Sequence, residues 1–196
     1  MTPRPRKVSD DDVFNAAYRA MTRLGPAELT LAHIADEAGV TAGALVQRFG
    51  SKRGLQVALA RAAAASAGAL IMELRRKHHS PIDAIRDYAE CMALMAATPE
   101  ALARNLAYLT QDVSDPDLRK SLLVQSRATR TALKELLDEA VDRRELAPRA
   151  DTKGLARTIE SVIGGALFSW AIYREGSAKR YVREHVDTVL TPHLRG

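Results

Sequence analysis

The sequence is poor in several things that other architectures need. It has one cysteine, Cys91, in 196 residues, which excludes an internal disulfide and suits a reducing compartment. Aromatic residues make up only 5% of the chain, and nowhere does the apolar/polar alternation of a strand persist. The most apolar run, residues 159–173, is interrupted by Ser161 and Ser169 and falls short of the roughly 20 residues that span a bilayer. The basic start TPRPRKVSD has no apolar segment behind it and does not read as a secretion signal. No repeat of fixed period occurs, and low complexity is confined to the alanines at 62–65. These absences lead to the expectation of a soluble, cytoplasmic protein with no membrane partner.

Sites for chemistry are missing too. There is no glycine-rich phosphate loop, no nucleophile elbow and no HExxH or Cys/His cluster. The five histidines are scattered, and Cys91 lies among Met92, Leu94 and Met95, a setting that favours inert packing. The expectation is therefore no catalytic residue, no metal and no cofactor.

What is present is helix-forming. Hydrophobic residues are 46% of the chain and charged residues 27%, and the apolar share leans on Ala and Leu. Caps and breakers divide it into about nine helices: 10–24, 31–38, 42–48, a long one from Ser51 to about Lys77, 80–97, 98–111, 115–144, 151–174 and 178–191. Residues 145–150 (ELAPRA) read as a linker. At about 1.5 Å per residue the helix from Ser51 would run about 40 Å, long enough to leave one domain and enter another. The class is all-α, with an N-terminal helix-turn-helix domain over 1–55 and a helical bundle for ligand binding and dimerisation over 56–196. The net charge is +5, and its distribution is informative. Residues 1–7 hold Arg4, Arg6 and Lys7 with no acid, and residues 38–72 hold Arg48, Lys52, Arg53 and Arg61 with no acid.

A helix-turn-helix needs a small residue where two helices cross, a glycine in the turn, and apolar residues that lock both helices to a third. Ala35, Gly39 and Val40 fit the first two demands, and Ile34, Ala38, Leu45 and Phe49 the third. The run IADEAGVTAGALVQRFGSKRGL is similar to the DNA-binding domain of the TetR/AcrR family of regulators, matching at Ile34, Ala35, Ala38, Gly39, Val40, Thr41, Gly43, Leu45, Phe49, Ser51, Lys52 and Leu55. The resemblance implies a DNA-binding role for Thr30, Thr41, Ala42, Gly43, Ala44, Val46, Gln47, Arg48 and Lys52. Thr30, Thr41 and Lys52 would meet phosphates, and Gln47 would read a base edge, adenine being its natural partner. Arg4 and Arg6 read either as a minor-groove arm or as a solvated terminus. Three positions depart from the family pattern: Val46 replaces a tyrosine, Arg48 a histidine or tyrosine, and Gly54 a helix-favouring residue.

The remainder is less specific. Met72, Tyr88, Cys91, Met92, Met95 and Tyr108 line a ligand pocket or fill a core. Ile159, Val162, Ile163, Ala166, Leu167, Trp170, Val182, Val186 and Val189 form a dimer interface, as the family's four-helix arrangement implies, or a monomer core. The resemblance implies a homodimeric repressor that binds double-stranded palindromic DNA and is released by an unknown small-molecule effector. Two other readings remain open: an all-helical enzyme with a vestigial helix-turn-helix, and a regulator controlled by a protein partner without a small ligand.

Overall fold

A computed structural model describes residues 8–195, and within them the chain is helical without a named strand. Ten α-helices follow in order: α1 (Asp10–Arg23), α2 (Leu31–Ala38), α3 (Ala42–Phe49), α4 (Lys52–Ala65), α5 (Ala69–Lys77), α6 (Pro81–Met92), α7 (Pro99–Ser114), α8 (Pro116–Asp142), α9 (Thr152–Tyr173) and α10 (Ala178–Leu190). The all-α class expected from composition is the class found.

The long helix expected from Ser51 to Lys77 is two helices. The chain turns at residues 66–68, where Gly68 takes φ +85°, a left-handed conformation that costs glycine little. Gly68 also lies against α8, since a β-carbon there would stand 3.6 Å from the Ala132 β-carbon. The alanine run around it is apolar and helix-prone, so periodicity alone could not locate the break. The 145–150 segment is less of a linker than its composition suggests. Leu146 is fully buried, and the Ala147 and Arg195 amides donate to the His193 and Glu145 carbonyls at 2.8 and 2.9 Å, tying the segment to the chain end.

The helices assemble into two compact units. The first runs to Ala63 and takes in Arg104–Leu122; the second comprises Ala64–Ala103 and the chain from Leu123 onward. The division is not the expected one at residue 55, because a later segment returns to complete the first unit.

In the first unit α1 opens with a reciprocal cap: the Ser9 hydroxyl accepts from the Asp12 amide at 3.1 Å, and the Asp12 carboxylate accepts from the Ser9 amide at 2.9 Å. Asp10, Asp11 and Asp12 add favourable charge at the positive end of the helix dipole. Val13, Ala17, Ile34, Ala35, Leu45 and Leu55 form its core.

In the second unit α9 packs on α10, and α10 on α6. Here the expected interface residues change role. Ile159, Ile163, Ala166, Leu167 and Trp170 on α9, and Val182 and Val186 on α10, are buried within one chain. They are monomer core. A helix apolar around most of its girth fits a fold neighbour as well as a second copy, so the pattern could not separate the two. Val162 and Val189 are only partly buried. The outer face of α9 carries Gly164, Gly165, Phe168 and Ile172, with Phe168 54% and Ile172 62% exposed.

Candidate nucleic-acid interface

The two short helices of the first unit are bounded by matched signals. Thr30 caps α2 by accepting from the His33 amide at 3.3 Å, and the Thr30 amide donates to the His33 ring at 3.3 Å. Gly39 ends α2 at φ +68°, the turn that the motif requires of glycine. Thr41 caps α3 through the Ala44 amide at 3.1 Å, and Gly50 ends it at φ +78°. One side of α3 is fixed inward, with Leu45 buried and Phe49 partly buried against Phe14, their ring centroids 6.0 Å apart. The other side turns out: Thr41, Gly43, Ala44, Val46, Gln47 and Arg48 are exposed. Ala42 is half-buried and Val46 is 48% exposed. An outward face of small residues with one amide, Gln47, suits close approach to a groove.

The cations around this face are engaged within the protein. The Arg48 guanidinium donates to the Val8 carbonyl at 2.9 Å, pairs with the Asp10 carboxylate, and lies over the Phe49 ring. The Lys52 ammonium, expected at a phosphate, donates to the Pro26 and Leu29 carbonyls at 3.0 and 2.8 Å, which, among the described residues, leaves one of its three N–H groups without an acceptor. Arg53 clasps Asp115 in two bonds of 2.8 and 3.0 Å and reaches Asp117 at 2.7 Å. Arg19 and Arg23 both hold Glu37, at 2.7 and 2.5 Å, joining α1 to α2. The Arg19 and Arg23 guanidiniums keep the Glu37 carboxyl below the usual carboxylate range. Residues 8–63 and 104–122 carry nine basic and nine acidic side chains, so the described part of this unit has no net charge. Arg4 and Arg6 lie outside the described residues.

Gly54 is required rather than tolerated. A β-carbon at this position would collide with the Phe49 backbone carbonyl, and the Gly54 amide donates to the Ser51 hydroxyl at 3.0 Å. The α3–α4 turn is too tight for any larger residue.

The candidate pocket residues do not gather. Tyr108 belongs to the first unit, buried in its core with its hydroxyl donating to the Leu24 carbonyl at 2.8 Å. A boundary at residue 55 puts it in the later domain, since α7 follows the helix-turn-helix in sequence, and only the return of this segment to the first unit places it otherwise. Burial pushes the Tyr108 phenol up to about 12. Met72 is 47% exposed and borders an open groove of about 450 Å³ with Gly68, Ala128 and Ala132. Tyr88, Cys91 and Met92 are half-buried on α6. Burial, with the Glu160 charge adding, raises Tyr88 to about 12, and burial pushes the Cys91 thiol up. The Met95 side chain lies outside the described residues. A second groove, of about 630 Å³, runs along the outer face of α9 beside Gly154, Arg157, Ser161, Gly165 and His185.

Comparison with known proteins agrees with this geometry. Residues 13–59 match the bacterial regulatory proteins of the tetR family. Residues 81–194, more than half of the chain, match the C-terminal part of BetI-type transcriptional repressors. No curated protein sequence matches the chain. Among solved structures, a TetR transcription regulator from Haloarcula marismortui is 18% identical, with 95% of this chain and 98% of that one covered and a TM-score of 0.76. SmeT, the repressor of the Stenotrophomonas maltophilia multidrug efflux pump SmeDEF, is 20% identical over 96% and 92%, with a TM-score of 0.66. FadR from Bacillus subtilis, solved with stearoyl-CoA, is 15% identical over 93% and 98%, with a TM-score of 0.69. At these identities the likeness is one of fold.

Proposed function

The chain belongs to the TetR family of DNA-binding transcriptional regulators, and on that premise we propose that it is a homodimeric repressor of a palindromic operator, released by a small-molecule effector. The observation that carries the reading is α3: capped by Thr41, locked by Leu45, and open on the side that bears Gly43, Ala44, Val46 and Gln47. Gln47 reads one base edge, Ala42 and Ala44 pack against thymine methyls, and Thr30, Thr41 and the remaining N–H of Lys52 hold phosphates. Arg48 adds a phosphate contact where its guanidinium remains open to solvent. Arg4 and Arg6 extend this set as a basic arm.

One such helix gives little specificity, so two are brought together by a second copy. The seam is the outer face of α9. Gly164 and Gly165 stand mid-helix with nothing within 4 Å of where a β-carbon would lie. Each weakens the helix by about 1 kcal/mol relative to alanine, and the monomer gains nothing in return. Close approach of another helix explains both, with Val162, Phe168 and Ile172 supplying apolar contact. Half-sites then lie about 34–36 Å apart or at whatever separation this seam fixes.

The effector reading draws on the family and on FadR, whose structure holds stearoyl-CoA. Two separate places are candidates for it: the half-buried Tyr88, Cys91 and Met92 on α6, and the groove bordered by Met72. The protein works in the cytoplasm and catalyses no reaction. Electrophoretic mobility shift with the DNA flanking its own gene tests the proposal. Retarded complexes that weaken steeply with salt are expected, and no salt-sensitive binding to that DNA overturns it.

A further inference from the structure

Four polar side chains, Arg104, Tyr108, Gln111 and Asp115, recur at spacings of four, three and four residues along α7 and its end. They therefore share one helix face. Each is engaged within the DNA-binding unit. Arg104 donates to the Thr22 carbonyl at 3.0 Å, and Tyr108 to the Leu24 carbonyl at 2.8 Å. Gln111 donates to the Gln56 side-chain carbonyl at 3.2 Å, and Gln56 is itself buried. Asp115 takes the two-pronged clasp of Arg53. The first pair grips the end of α1, and the second pair grips the first turns of α4.

Between those grips lies the α1–α2 connection. Its carbonyls at Pro26 and Leu29 are taken by Lys52, so Thr22, Leu24, Pro26 and Leu29 are all held by side chains from outside the connection. Thr30, the cap of α2, follows directly. Apolar contacts such as Ile34 on Leu45 hold the helices together without fixing direction, whereas hydrogen bonds to carbonyls do fix it.

We propose that this α7 face positions the helix-turn-helix for DNA, with Arg104, Tyr108, Gln111 and Asp115 as positioning residues that set the place of Thr30 relative to Lys52. The inference rests on the reading above that Thr30 and Lys52 meet phosphates. Sequence motifs for DNA binding end at Leu55, so all four lie outside them. α7 is unbroken from Pro99 to Ser114, whereas the α4–α5 stretch is interrupted at residues 66–68. Within the first unit α7 meets the end of α1, the residue after it and the first turns of α4, and so bears on α2 through the α1–α2 connection.

Fluorescence anisotropy of the full-length protein on its upstream DNA, at several salt concentrations, tests this. Tyr108→Phe keeps the ring in the core and removes only the bond to Leu24. It is expected to lose affinity on the order of tenfold and to shallow the log–log salt slope by about one phosphate, roughly 0.9, while melting within a few degrees of wild type. Gln111→Ala is expected to act in the same direction, and Tyr108→Phe/Gln111→Ala to exceed either. Wild-type affinity and slope in Tyr108→Phe and Gln111→Ala, with both lowered in Lys52→Ala, would overturn the positioning role. So would losses that only track the unfolded fraction. Absence of salt-sensitive binding by the wild-type protein would instead sink the DNA reading on which the inference rests.

Discussion

The Phe49 backbone carbonyl occupies the space that a β-carbon on Gly54 would need. Gly54→Ala replaces a poor helix former with the best one, yet it is expected to destabilise the first unit. Helix propensity favours alanine by about 1 kcal/mol, but forcing an atom into packed backbone typically costs 1–3 kcal/mol and also shifts α3. A melting curve of the variant checks the sign: a rise in Tm would refute the clash.

Gly165→Leu is expected to do the reverse. Nothing within 4 Å of the missing β-carbon opposes a side chain, so the isolated chain should keep or gain up to about 1 kcal/mol from helix propensity. The dimer proposed above, in contrast, should dissociate. Ile159→Ala, at a position with no solvent exposure, should cost about 2–5 kcal/mol of folding stability instead. Sedimentation and denaturant unfolding, run on both variants, separate seam from core. A dimeric Gly165→Leu would remove α9 from the interface.

Gln47→Ala should leave binding to random DNA nearly unchanged while relaxing discrimination at one base pair by about 1–3 kcal/mol. Lys52→Ala should weaken binding to every sequence. It should also lower stability, because the Pro26 and Leu29 carbonyls lose their partner. Competition assays with specific and random duplexes decide the first point; equal losses on both would take Gln47 out of base reading.

The Tyr108 phenol is raised to about 12 in the folded protein, above an unfolded value near 10. A raised value means that the neutral, folded form is favoured; its contribution is complete below pH about 10 and disappears as pH climbs towards 12. Absorbance titration should show Tyr88 and Tyr108 ionising late, and Tyr108→Phe should flatten the alkaline loss of stability over that range. An unchanged alkaline stability profile in Tyr108→Phe would contradict the buried placement.

The helix-turn-helix was legible because its signals are local. Thr30 and Thr41 as caps, Gly39 at positive φ, and Ile34 and Leu45 in the core are short-range choices that the chain repeats at fixed spacing. Tyr108 was not legible, since its place depends on a segment more than forty residues downstream of the motif returning to it. Periodicity names the α9 residues as buried but cannot say against what, so Ile159 and Trp170 stay open between a partner and the chain's own core until their burial within one chain is seen. Gly54 looked like a defect because the obstacle is a backbone oxygen, invisible to any pattern of side chains. Arg48 and Lys52 were read as free cations, though each finds a carbonyl within its own unit.

The neutralised arginines have a kinetic consequence. In a DNA-binding body where Arg19, Arg23, Arg48 and Arg53 already hold carboxylates, a phosphate reaches those guanidiniums only by displacing a carboxylate, a step that association must wait for, so the salt dependence of the proposed complex rests first on Lys52 and the basic arm.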